Sequence, residues 1–152
     1  MGDRVAKASL EAFRHHVPAT KIGEREWTIL SAIVAEFGSD ETLEVVAFGT
    51  GLKCIGPSKK SPEGFILNDS HSEVISRRSF IRFCLRELSA LVTSGENVSK
   101  YFERIGDATC SPYFRVKTGV KFHLYVSHAP CELPPRSPPP DTWCPALNPS
   151  LD

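Results

Sequence analysis

Leu67-Asn68-Asp69-Ser70-His71-Ser72-Glu73-Val74-Ile75-Ser76-Arg77-Arg78-Ser79-Phe80 is the stretch on which the reading of this chain turns. It opens with polar, turn-forming residues. From about His71 to Leu91 it predicts a helix, in which Val74, Ile81, Leu85, Leu88 and Val92 mark one apolar face and Gly95 follows soon after. His71 and Glu73 stand two residues apart in its first turn, so both side chains can share a small space at the mouth of a sheet. The imidazole can ligate a metal, and the carboxylate can sit beside a coordinated water without binding the ion. The same residues also suit a plainer purpose. Ser70-x-x-Glu73 matches a capping box, in which each side chain satisfies the other residue's backbone N–H.

Working outward, Trp27, Leu30, Ile33, Val34 and Phe37 recur at helical spacing and stop at Gly38, which predicts a helix with a glycine cap. Leu43 to Phe48 is a β-prone run ending in Gly49-Thr50-Gly51. Tyr113 to Lys117 and Val120 to Ser127 flank Thr118-Gly119 and predict a hairpin. In the second of these, Val120, Phe122, Leu124 and Val126 alternate with Lys121, His123, Tyr125 and Ser127. Helices mixed with strands predict an α/β domain in which helices cover a sheet. Seven of the 12 prolines follow Cys131. Residues 1–131 are therefore expected to form the folded part and 132–152 an extended, Pro-rich tail.

The chain has 152 residues, 41% of them hydrophobic and 24% charged, which fits one folded domain and excludes wholesale disorder. Residues 1–10 lack the apolar core of a signal peptide, and no apolar run reaches membrane-spanning length. Five cysteines without framework spacing suit a reducing compartment. The expectation is an intracellular protein of the cytoplasm, the nucleus or both, neither secreted nor membrane-bound. Eighteen basic residues balance 18 acidic ones, so contact with nucleic acid must be local rather than driven by net charge.

Three further features bear on chemistry. His128-Ala129-Pro130-Cys131 follows a strand, where a thiolate at a helix start can ligate zinc, although a lone cysteine also serves as a small buried apolar residue. Together with His-x-Glu, a Pro-Cys pair is the pattern of zinc-dependent nucleoside and base deaminases. Gly49-Thr50-Gly51-Leu52-Lys53-Cys54-Ile55-Gly56 lacks the third glycine of a dinucleotide fingerprint and the Gly-Lys-Ser/Thr ending of a P-loop. Its glycines still allow the backbone to approach a nucleotide closely. Arg77 and Arg78 follow Glu73 by one turn, with Arg78 between Val74 and Ile81. There it either meets an anion inside or snorkels to solvent, and the spacing favours solvent.

These residues converge on a resemblance. From about Glu24 to Cys131 the chain resembles the adenosine-to-inosine deaminases acting on RNA, and its tRNA-acting branch in particular. Glu26-Trp27-Thr28-Ile29-Leu30 looks like that branch's opening helix, and Gly49 to Gly56 is similar to its Gly-Thr-Gly-Thr-Lys-Cys-Ile-Gly. Leu67 to Phe80 is the densest match, and Pro130-Cys131 follows at a fitting distance. The resemblance implies a cytidine-deaminase-like α/β/α fold, of which this chain carries the N-terminal half. It implies His71 and Cys131 as zinc ligands and Glu73 as the proton shuttle in hydrolysis of adenosine to inosine in tRNA, with no role for DNA. It also implies an inositol hexakisphosphate near the metal, with Asn68, Asp69, Arg77 and Arg78 matching the family's positions around it. Gly51 and Lys53 match its substrate-binding loop.

The chain departs from the family in three places. Ser72 replaces an alanine, and Leu52 replaces a threonine near the substrate ribose. After Cys131 the family continues Cys-Gly-Asp-Ala-Ser into a helix and reaches a second cysteine ligand far downstream, whereas this chain runs Cys131-Glu132-Leu133-Pro134-Pro135. Pro134 also excludes the compact Pro-Cys-x-x-Cys of cytosine deaminases. Cys144 lies within reach of the metal, but in a segment without packing pattern, where a ligand loses ordering entropy on binding. The expectation is a family member truncated after the first cysteine ligand and inactive alone. The alternative is a non-catalytic fragment or isoform that acts, if at all, as a binding module.

Overall fold

The computed structural model describes residues 1–18, 27–38, 42–94, 99–105 and 113–129. The Pro-rich segment and Cys131 lie outside the described residues, as do Cys110 and Cys144. The element order is α1 (Gly2–His16), β1 (Leu30–Phe37), β2 (Thr42–Thr50), α2 (Ser72–Ser94), β3 (Phe102–Ile105), β4 (Tyr113–Val116) and β5 (Val120–Val126), with a short 3-10 turn at Pro57–Lys59. No described helix is long and apolar enough to cross a membrane.

Strand β1 is the axis of the molecule. It pairs antiparallel with β2 on one side and β5 on the other, in the order β2-β1-β5. Its residues Ser31, Ala35 and Phe37 face α2, while Val34 and Glu36 lie toward α1, so both faces are covered. The result is the α/β layering expected from the sequence, although only some of the predicted elements build it.

Residues 30–37 form a strand, not a helix. A strand buried on both faces shows a near-continuous apolar run instead of alternation, and Leu-Ser-Ala-Ile-Val-Ala-Glu-Phe satisfies helical spacing by coincidence. Trp27 to Ile29 carry no helix, and Gly38 is no helix cap: its N–H donates to Gly119 O at 2.7 Å, beside the turn that opens β5. Helix α1 has no counterpart in the sequence reading. Its buried face includes Ser9, whose hydroxyl donates to Val5 O, and a serine hides the apolar stripe.

Two further expectations change. The turn at Thr118-Gly119 is real, with Val120 N donating to Lys117 O and Gly119 at φ +88°. Yet the strands on either side do not pair: β4 joins β3 in a separate ribbon, and β5 joins β1. Helix α2 turns a different side inward. Ser72, Ser76, Phe83 and Leu91 are buried, whereas Ile81, Leu85 and Val92 are exposed, Leu85 to 62%. Three of the five predicted apolar positions therefore lie on the outer side, while Val74 is half-buried and Leu88 packs against the core. What decides the orientation is the small pair Ser72 and Ser76, which lets the helix start lie close on the sheet.

The main core lies between α2 and the sheet, where Ala35, Phe83, Leu91, Tyr101 and Phe102 are buried together. Phe83 meets Tyr101 edge-on at 4.8 Å, and Phe80 meets Phe122 edge-on at 5.0 Å. Burial and the neighbouring Glu44 carboxylate both push the Tyr101 phenol pKa well up, so its O–H stays a donor at any ordinary pH.

On the other face, His123 Nε2 meets Glu36 Oε2 at 2.7 Å. That hydrogen bond, helped by Lys121 and Arg4 against the cost of burial, holds the Glu36 carboxyl below its ordinary 4.5. In the unfolded chain Glu36 returns to that ordinary value, so its contribution to stability is present above about pH 4.5 and lost as pH falls through the lower folded value. Urea unfolding is expected to show Glu36→Gln less stable than the parent at neutral pH and less sensitive to acid as pH falls below the ordinary 4.5. Identical acid slopes in the two proteins would refute this.

Candidate functional site

The site is built where β2 ends and α2 begins. Gly49 is buried against α2: a Cβ on it would lie 2.7 Å from Ile75 Cβ and 2.7 Å from Ser76 N. At Gly51 a Cβ would lie 1.8 Å from the Ser70 carbonyl oxygen, and the backbone there has φ +153°. Only a residue without a side chain allows this approach. It is fastened by Gly51 N donating to Ile29 O and Ser72 N donating to Gly51 O, both at 3.2 Å. A buried hydroxyl pair adds to it. Ser31 Oγ and Ser76 Oγ are 2.9 Å apart, and Ser76 gives its hydrogen to Glu73 O, so Ser31 is the donor between the two.

Beyond Gly51 the chain leaves, turns and comes back beside itself. Cys54 and Asp69 face each other in an antiparallel bridge, with Ile55 N donating to Asn68 O and Ser70 N to Lys53 O, both at 2.9 Å. This short ribbon delivers His71 to the head of α2. The His71 carbonyl accepts the first helical bonds, from Val74 N and Ile75 N, which makes His71 the capping residue. Ser70 therefore lies one residue too early for the capping box. The Glu73 carboxylate instead accepts from the Ser72 hydroxyl at 3.0 Å.

Asp69 takes over the orienting task. Its Oδ1 accepts from His71 N at 2.9 Å and lies 2.9 Å from His71 Nδ1, which fixes both the backbone and the ring. Cys54 Sγ lies 3.5 Å from the same Nδ1. Cys54, Asp69 and His71 are all half-buried, and their donor atoms lie within 4.8 Å of one another, the one such grouping among the described residues. A nitrogen, a thiol sulfur and a carboxylate oxygen make a borderline-soft donor set that fits zinc better than a hard cation.

The structure thus brings together His71 and Asp69 of the sequence-predicted residues, with Gly51 against the same segment and Glu73 in the first turn of α2. Asn68 contributes its backbone to the ribbon but its side chain is exposed, as is that of Lys53 at the rim. Arg77 and Arg78 are both exposed on α2, the solvent reading that the spacing favours. Cys131 lies outside the described residues. Cys54 is the member of the cluster that sequence reasoning does not single out. Its signal is its place in the Gly-rich loop, 17 residues before His71.

Residues 47–133 match the family described as Adenosine-deaminase (editase) domain. Over 127 residues the chain is 36% identical to tRNA-specific adenosine deaminase 1 of Drosophila melanogaster, covering 84% of this chain and 29% of that protein. Over 143 residues it is 36% identical to the protein of the same name from Homo sapiens, covering 85% and 28%. It is also 30% identical over 129 residues to double-stranded RNA-specific editase Adar of Drosophila melanogaster, covering 85% and 19%. The chain therefore spans less than a third of the length of these relatives.

The Gly51 contact sets a clear expectation. Gly51→Ala must push back the Ser70 carbonyl or strain its own backbone, and a loss of about 2–4 kcal/mol in urea unfolding is expected. A loss below about 1 kcal/mol would mean that the turn into α2 shifts freely.

Proposed function

Since this chain belongs to the adenosine-deaminase (editase) family, we propose that it carries the His71–Glu73 part of a zinc-dependent site for hydrolytic deamination of adenosine to inosine in tRNA. The observation that supports this reading best is the paired placement at the head of α2. His71 is held by Asp69, and Glu73 stands two residues on with its carboxylate half-buried.

His71 would hold zinc through the imidazole nitrogen that Asp69 leaves free, with Cys131 as the ligand that the family resemblance supplies. Zinc, when bound, supplies Lewis acidity that brings the pKa of water from about 15.7 to about 7. The work of the chain is to orient and to move protons. Asp69 keeps the His71 ring in one orientation. Glu73 accepts a proton from the attacking water and delivers it to the purine, and ammonia leaves as inosine forms. The carboxylate ends the cycle as it began, so water and adenosine balance inosine and ammonia. The Ser72 hydroxyl bond steadies Glu73 beside His71. Gly51 lets the backbone come close to the nucleotide, and the exposed Lys53 offers a charge to RNA phosphate. Asn68, Arg77 and Arg78 fall to inositol hexakisphosphate in this reading, with the exposed arginine pair as the anion contacts, while Asp69, the fourth residue of that set, is engaged by His71.

A chimera tests it, with residues 1–129 replacing the matching part of the Drosophila melanogaster tRNA-specific relative. The chimera is expected to form inosine in tRNA, read by mass spectrometry of the digested nucleosides. Glu73→Gln is expected to lower its rate at least about 100-fold without loss of zinc. The 152-residue chain alone is expected to give no inosine. A chimera as active with Glu73→Gln as without it would overturn the shuttle role. One that binds tRNA and never deaminates it would leave a binding module.

A further inference from the structure

The loop that joins the two sides of the Cys54–Asp69 ribbon presents an aromatic ring and two ammonium groups to solvent. We infer that residues 56–67 form a contact for an unpaired nucleotide of RNA, with the Phe65 ring stacked on its base and Lys59 and Lys60 on the phosphates beside it. The inference rests on the reading of the neighbouring site as one that acts on adenosine in RNA, and adds a surface that holds the strand next to it.

Position comes first. The Cys54–Asp69 bridge closes the base of this loop, with Ile55 N donating to Asn68 O and Ser70 N to Lys53 O, and Asp69 holds His71. The loop therefore begins and ends at the candidate site. Exposure comes next. Phe65 is 85% exposed, and Ile66 and Leu67 beside it are exposed as well. Single apolar residues on a surface are ordinary, but three in succession mark a surface made for contact. Among the described residues the side chains of Lys59, Lys60 and Phe65 have no ion pair or ring contact, so all three can meet a partner. Charge selects that partner. Residues 53–67 hold Lys53, Lys59 and Lys60 against Glu63, a local excess of cations in a chain with no net charge. Lysines around an exposed aromatic ring supply both components of single-strand binding, a cationic path for the backbone and a face on which any base can stack. Paired bases offer no free face, whereas the loops of a folded RNA do. The contact is also shaped in advance. Lys59 N donates to Gly56 O at 3.0 Å and Gly64 N to Ser61 O at 3.1 Å, and Gly64 takes the left-handed backbone, at φ +76°, that directs the chain into Phe65. Turns that exist before binding lower its ordering cost.

Fluorescence anisotropy of the full 152-residue chain with labelled tRNA tests it, beside a blunt RNA duplex and vesicles of anionic phospholipid. The chain is expected to bind tRNA more tightly than the duplex. Phe65→Ala is expected to weaken tRNA binding about 5- to 100-fold, and Phe65→Trp to keep it. Lys59→Ala combined with Lys60→Ala is expected to lower the slope of log affinity against log salt by about 1.5. A measurement on the unaltered chain guards against misfolded variants: ultraviolet cross-linking to tRNA is expected to attach a nucleotide at Phe65, read by mass spectrometry of the digest. Equal binding of tRNA by the parent, Phe65→Ala and the double lysine variant would overturn the inference and leave the adenosine reading standing, with the strand held elsewhere. So would a Phe65→Ala variant that loses vesicle binding and keeps tRNA, which would make the loop a membrane contact. A Phe65-dependent grip on tRNA beside a chimera that forms no inosine would keep the contact and remove the adenosine reading.

Discussion

The close approach of β2's last residues to the first turn of α2 is the constraint on which the rest depends. With Gly51 against the Ser70 carbonyl and Gly49 against Ile75, backbone meets backbone where side chains would normally intervene. That contact sets the height and the rotation of α2 on the sheet. It turns Ser72 and Ser76 inward and leaves the Ile81, Leu85 and Val92 stripe outside. It also fixes where His71 emerges, because Ser72 N is tied to Gly51 O. The candidate site is therefore anchored to a junction where backbone packs directly on backbone.

The central strand shows how polar groups can be buried on both faces without loss. Toward α2, Ser31 and Ser76 pair and pass the chain of hydrogen bonds to Glu73 O. Toward α1, Glu36 pairs with His123. Each arrangement satisfies a group that burial alone would make costly, and each ties β1 to a different neighbour. The first also reaches the site, since the carbonyl it satisfies belongs to Glu73. Packing of the sheet and placement of the candidate proton shuttle are thus one structure.

Around this junction the cations Lys53, Arg77 and Arg78 face outward, at the loop rim and on the helix that carries Glu73. With no net charge on the chain, these few cations near the site are what a polyanion would meet there.

The sequence by itself determined the pieces whose physics is local. A β-prone run ending in glycines became β2, the stretch after His71 became α2, and Thr118-Gly119 became a turn, because propensity and turn chemistry act over a few neighbours. It also put His71 and Glu73 at the start of α2, which their order along the chain settles without a partner from elsewhere. Only the tertiary structure decided the rest. Residues 30–37 became a strand because two helices cover both of its faces, which erases alternation. The two strands beside Thr118-Gly119 parted because β1 and β3 offered each a better edge. Helix α2 turned Ser72 and Ser76 inward and left Leu85 outside because Gly49 demanded close contact. Cys54 joined His71 through a bridge between residues 15 apart in the chain, a pairing that no local pattern encodes.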